Sequence, residues 1–211
     1  MQRLLIYDAT QHTRAPRSLG LAWQFGSYLY RGLGRIDAAY GARRFDAALR
    51  WVRRRADEHG PVTELQYWGH GKWGAVFVDR ERLDRGALAP AHPLRRDLDA
   101  IRECLAPNAL IWFRTCETLG ANAGQDFASA LGDYLGARIA GHTFVIGFYQ
   151  SGLHELPPGC RADWSASEGL AVGSPGAPQR ALNSAPSQPN TITCLEGRVP
   201  TQWATQQLPV R

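Results

Sequence analysis

Two short runs constrain the fold of this chain more than anything else in it. Thr63-Glu64-Leu65-Gln66-Tyr67-Trp68 and Ala109-Leu110-Ile111-Trp112-Phe113 are too short for helices, rich in aromatic and aliphatic side chains, and flanked by Gly, Pro or Asn. Such runs read as buried strands. Around them, apolar residues recur at helical spacing. Phe45, Leu49, Val52 and Ala56 mark one face of a helix over 42–58, stopped by His59-Gly60-Pro61. Leu94, Leu98, Ile101 and Leu105 mark a second helix. Phe127, Ala130, Leu131 and Tyr134 mark a third, opened by Asn122 with Gln125 three places on and ended by Gly136. Leu19, Ala22, Trp23, Gly26, Tyr30 and Leu33 outline a further helix despite three glycines.

Residues 3–8 supply a first strand, 73–78 the second half of a hairpin, and 138–140 and 143–148 further strands. Strands alternating with helices imply an α/β fold, with a mostly parallel central sheet covered by helices on both faces. A polar loop through Pro16 joins the first strand to the first helix. The pattern holds over 1–149. Residues 150–211 carry eight of the 13 prolines and read as an irregular extension, packed on or near the domain through Trp164, Leu170, Ile192, Leu195 and Trp203. The stretch 174–189 reads as a loop or linker.

Charge excludes less than it first suggests. The net charge is +5, but Lys72 is the only lysine among 24 basic residues, so the bias is spread along the chain as arginine. Arg50, Arg53, Arg54 and Arg55 fall on the polar side of a helix, and no readout motif accompanies them. No nucleic-acid partner is expected. No run reaches the length of a membrane span, and the start lacks a cleavage-site pattern, so a cytoplasmic setting with reduced thiols is expected. Cys104, Cys116, Cys160 and Cys194 lack CxxC spacing.

The chemistry concentrates at the ends of the two opening runs. The first leads into Gly69-His70-Gly71, the second into Arg114-Thr115-Cys116-Glu117-Thr118. In an open α/β sheet, ligands bind in the crevice beyond the carboxyl ends of the strands. Adjacent parallel strands would bring an imidazole and a thiol to one rim, the minimum equipment for cysteine nucleophilic catalysis. Cys104, Cys160 and Cys194 lack this context. A zinc site recruiting His70, Cys116 and His142 lacks close ligand spacing, so no metal is expected.

Strand-then-His-Gly followed by strand-then-Cys resembles the caspase-like cysteine peptidases (clan CD). Arg114-Thr115-Cys116-Glu117-Thr118-Leu119-Gly120 is similar to the Ala-Cys-x-Thr-Gly nucleophile segment of CHAT-type members, with Leu119 placing the glycine one position later. The His–Cys separation is close to the roughly 50 residues expected for caspases. The resemblance implies a three-layer sandwich and an endopeptidase acting on a protein or peptide, without a cofactor. His70 would move the proton and Cys116 would attack, with the backbone N–H groups of Gly71 and Cys116 stabilising the oxyanion. Arg114 and Glu117, flanking the cysteine, are the candidate substrate-binding residues. The guanidinium fork of Arg114 suits an acidic residue before the cleaved bond, unless it pairs internally with Asp8 or Glu117. The competing expectation is a non-catalytic caspase-like module that binds a protein partner through Trp23, Tyr28, Tyr30 and Trp73.

Overall fold

A computed structural model describes residues 1–11 and 19–200. The loop through Pro16 and the anchor at Trp203 lie outside the described residues. Strand β1 (Gln2–Asp8), helix α1 (Leu19–Gly32), strand β2 (Ala38–Ala42), helix α2 (Phe45–His59) and strand β3 (Val62–Trp68) come first. They lead into an antiparallel meander, β4 (His70–Lys72), β5 (Ala75–Val78) and β6 (Glu81–Asp84). A 3-10 turn (Arg85–Leu88), α3 (Arg95–Cys104), β7 (Leu105–Arg114), α4 (Ala121–Leu135) and β8 (Arg138–His142) follow. Short strands β9 (Tyr149–Gln150), β10 (Leu153–Leu156), β11 (Leu170–Ser174), β12 (Ala177–Ala181) and β13 (Ile192–Thr193) complete the described chain.

Six strands form the central sheet in the order β10-β8-β7-β3-β1-β2, with β10 alone antiparallel to its neighbour. Alternation along the strands divides the core. Leu4, Ile6, Leu65, Tyr67, Ile111, Phe113 and Ile139 face one side, where the apolar stripes of α2, α3 and α4 cover them. Leu5, Tyr7 and Trp68 face the other side with Tyr30 of α1, and Leu110 and Trp112 meet Ile192 of the C-terminal segment there. The meander β4–β6 adds Val76, Val78 and Leu83 to the first core. Glu81 fixes it to α2, accepting from the Phe45 amide at 2.8 Å and pairing with Arg44 at 3.0 Å. That carboxylate supplies the helix N-terminus with the acceptor that its own cap, Arg44, does not.

The mixed α/β architecture with a mostly parallel sheet is therefore the one the pattern predicts. Several details differ. Strand β2, Ala-Ala-Tyr-Gly-Ala, carries no β-branched residue and gives no strand signal, yet it forms the parallel edge beside β1. Residues 143–148 form a loop rather than a strand, with Val145 bridging Asn183. Leu153–Leu156, which the sequence assigns to the extension, pairs with β8 inside the central sheet. The expected loop over 174–189 contains β12, paired with β11 in a hairpin. Helix α4 is capped by Gly120, not by Asn122, and Gln125 donates to the Trp164 carbonyl at 2.7 Å instead of closing a capping box. Among the described residues no helix is long and apolar enough to cross a membrane.

Candidate functional site

The sheet order places the switch in strand direction of travel between β1 and β3: the chain moves outward to β2, then returns to the other side of β1. Crevices for ligands form at such points, beyond the carboxyl ends. Pairing continues level across this rim, with Tyr7 opposite Trp68 and Trp68 opposite Arg114. Two residues beyond Trp68 stands His70, and two beyond Arg114 stands Cys116. Both are half-buried.

The two segments interlock. Gly71 lies against the nucleophile turn so tightly that a Cβ there would come 2.7 Å from Cβ of Thr115 and closer still to Oγ1 of Thr118. The Trp73 amide donates to the Glu117 carbonyl at 3.1 Å, and the Gly74 amide to that of Thr118 at 2.8 Å. Gly74 has φ +79° and sits on the Ala123 main chain, so it too admits no side chain.

The turn after β7 is built from local bonds. Thr115 and Thr118 share a hydroxyl–hydroxyl bond of 2.5 Å, and Thr118 Oγ1 donates to the Cys116 carbonyl at 3.2 Å. The Glu117 amide donates to Phe144, the Leu119 amide to His142, and the Gly120 amide back to Glu117. Leu119, the residue that delays the glycine, is fully buried in the core. The left-handed backbone falls instead on Glu117, with φ +44°, and on Ala121, with φ +59°. A non-glycine residue held there stores strain, and such strain clusters at functional turns.

The Cys116 sulfur lies 3.9 Å from the Ile146 carbonyl oxygen. Burial pushes its thiol above the ordinary value, and the neighbouring Glu117 carboxylate pushes it further. The resting sulfur is thus held as a thiol, not as the lowered-pKa thiolate that a nearby cation would produce. Among the described residues the Cys116 amide meets no backbone or side-chain acceptor other than its own sulfur. The His70 imidazole makes no hydrogen bond among the described residues, and none joins it to Cys116. Its ring meets Trp23 of α1 edge-on, with centroids 5.6 Å apart.

Glu117 is 7% exposed. Burial raises its carboxyl pKa while Lys72, 3.9 Å away, opposes the shift. Lys72 also lies 4.5 Å over the Trp73 ring, so the single lysine of the chain is fixed at this rim.

Arg114 is a correction. Alternation turns it to the α1 face, where it is 5% exposed and lies 4.4 Å over the Trp112 ring. Its guanidinium donates to Gln150 Oε1 through Nε (3.0 Å) and Nη2 (2.8 Å), to the Tyr30 hydroxyl, and to the carbonyls of Thr193, Cys194 and Glu196. With its donors spent on the chain itself, it presents no fork to a substrate carboxylate. Neither Asp8 nor Glu117 is its partner. The Asp8 carboxylate accepts from the amide and hydroxyl of Thr10 at 2.8 and 2.6 Å.

Trp23 beside His70, the Ile146 carbonyl beside the sulfur, and Lys72 beside Glu117 are neighbours that the sequence does not announce. Only Lys72 carries a signal, its uniqueness. Of the four aromatic residues expected at a binding surface, Tyr30 is buried, Trp23 and Trp73 are half-buried, and Tyr28 is exposed. His142 is fully buried and its pKa falls to about 3, because burial disfavours the imidazolium and Arg114 adds repulsion. Its Nδ1 lies 3.2 Å from the Ser151 carbonyl oxygen, which fixes the proton on that nitrogen. Among the described residues no group of three His, Cys, Asp or Glu side chains is arranged to hold a metal.

Compared with known proteins, the chain matches no family model, and no curated protein shows significant similarity to it.

Proposed function

We propose that this chain is a cysteine endopeptidase of the caspase-like kind, with His70 and Cys116 as its dyad. One observation carries the reading: the ends of β3 and β7 run level, and Gly71 is wedged against Thr115 and Thr118 on either side of Cys116. The strained Glu117 turn supports it, as does the Cys116 amide, which among the described residues meets no acceptor but its own sulfur. His70 accepts the thiol proton, and the thiolate attacks the scissile carbonyl carbon to form a C–S bond. The oxyanion is held by the amides of Gly71 and Cys116. Return of the proton from His70 to the leaving amine breaks the C–N bond, and water then hydrolyses the thioester. Because burial and Glu117 favour the thiol, proton transfer belongs to the substrate-bound state. Hydrogen bonds of this kind tighten only when substrate is present. An acidic preference no longer rests on Arg114, so the peptide class is open to Glu117 and Lys72, the ionic pair at the rim.

The competing reading, a non-catalytic module that binds a protein, is favoured by the raised thiol pKa and by the missing bond between His70 and Cys116. A peptidyl acyloxymethyl ketone library, read by mass spectrometry of the adduct, separates the two. The peptidase reading expects an adduct on Cys116 that depends on the peptide and falls at least tenfold in His70→Ala. Equal labelling of Cys116 and the half-buried Cys194, unchanged in His70→Ala, supports the binding module instead.

A further inference from the structure

A second recess lies at the opposite end of the strands. The floor comes from the amino ends of β1 and β3 through Arg3 and Glu64, one wall from Leu33 and Arg35 just after α1, and the other from Glu196 and Arg198. Its volume, about 350 Å³, falls within the range of small-molecule sites. Three arginines line it, together with the carboxylate residues Glu64 and Glu196.

Arg35 is held in place before any ligand arrives. Its Nη1 donates to the Leu195 carbonyl, its guanidinium carbon lies 5.3 Å from the Tyr30 ring centroid, and Gly197 presses on its stem. A Cβ at Gly197 would come 2.8 Å from Arg35 Nε. Among the described residues its Nε and Nη2 have no acceptor, and Arg198 has none at all. Arg3 spends Nη2 on Asp37 at 3.2 Å and keeps the rest of its fork. Glu64 accepts from Gln66 Nε2 at 2.6 Å through one oxygen, leaving the other for a ligand hydroxyl or amine. Glu196 adds a second carboxylate to the lining, so the recess sets three arginines against two carboxylates and suits a ligand that carries both an anionic head and a donor group.

We propose that this recess binds a small ligand carrying an oxyanion head, phosphate or carboxylate, next to a hydroxyl or amine. Arg3, Arg35 and Arg198 take the head, because planar forks match such oxygens pairwise. Glu64 takes the hydroxyl or amine. Because Arg198 belongs to the C-terminal segment while Arg3 and Arg35 belong to the domain body, the bound ligand ties the two together. This site is independent of the dyad.

Calorimetric titration of the full chain with glycerol 3-phosphate and, separately, with glycerate distinguishes the two heads, with sodium chloride at matched ionic strength as the blank. The expected result is saturable 1:1 binding of at least one of them, weakened tenfold or more in Arg198→Gln. Arg54→Gln, an exposed arginine on α2, should bind as the wild type does. Ligand should also slow tryptic cleavage at Arg198. No saturable binding of either compound, or equal affinities for wild type and Arg198→Gln, or equal weakening by Arg54→Gln, overturns the proposal.

Discussion

Replacing Arg114 with methionine tests whether this residue anchors the C-terminal segment or serves a substrate. The change removes six hydrogen bonds, but they do not weigh equally. The Thr193, Cys194 and Glu196 carbonyls lie on partly exposed chain and can turn to water. Tyr30 keeps its own bonds, to Cys194 at 2.9 Å and to Glu196 at 2.5 Å. Gln150, 6% exposed, is left with a buried, unpaired oxygen, costing about 2 kcal/mol. Loss of the desolvated guanidinium from the Trp112 face costs about 2 kcal/mol more. Relief from burying a charge without a carboxylate partner, together with methionine's apolar fill, returns roughly 1 kcal/mol. The net is a destabilisation of about 3 kcal/mol, or a fall in Tm of roughly 6–12 °C for a chain of this size. Scanning calorimetry measures that directly, and tryptic cleavage at Arg198 should quicken in parallel. A Tm within about 1 °C of wild type, with Arg198 cut no faster, would refute the anchoring role.

Three further outcomes follow from the same geometry. Gly71→Ala forces a methyl into Thr115 and Thr118 and should destabilise by about 1–3 kcal/mol in urea unfolding, while Gly147→Ala, in open space, should not. Glu117→Gln removes the like charge beside the thiol, so the midpoint of the rate–pH profile for iodoacetamide alkylation of Cys116 should move to lower pH. It should stay above an ordinary thiol's because burial persists. His142 has a folded pKa of about 3 against 6.5 unfolded, so the unfolded state binds more protons between those values. Its contribution is complete above about pH 6.5 and is lost as pH falls towards 3, by about 1.4 kcal/mol per unit. Urea midpoints between pH 7 and 4.5 should flatten in His142→Gln relative to wild type.

The sequence made legible whatever follows from periodicity and from turn chemistry. The stripes of α2, α3 and α4, the glycine stops at Gly60 and Gly136, and the runs that became β3 and β7 all fall where their patterns put them. Their adjacency then levels His70 with Cys116. What escaped has no local signature. Strand β2 is held by its neighbour β1, not by propensity, and β10 reads as loop because prolines follow it. The fate of Arg114 shows the limit most clearly. Its position two residues before the cysteine suggested a substrate contact, but strand alternation turns it to the other face. There its acceptors come from residues 150 and 193–196, which no spacing argument connects to it. The environment of the Cys116 sulfur was equally hidden, since the Ile146 carbonyl is main chain and the opposing charge is the residue next door.

Cleavage of an unbiased peptide library, followed by mass spectrometry for wild type, Cys116→Ala and His70→Ala, tests the dyad most directly. Wild type should cut defined peptide bonds, Cys116→Ala should cut none, and His70→Ala should be slower by about 10²–10⁴-fold. Peptides left intact by wild type, or cut equally well without the Cys116 sulfur, would contradict the dyad.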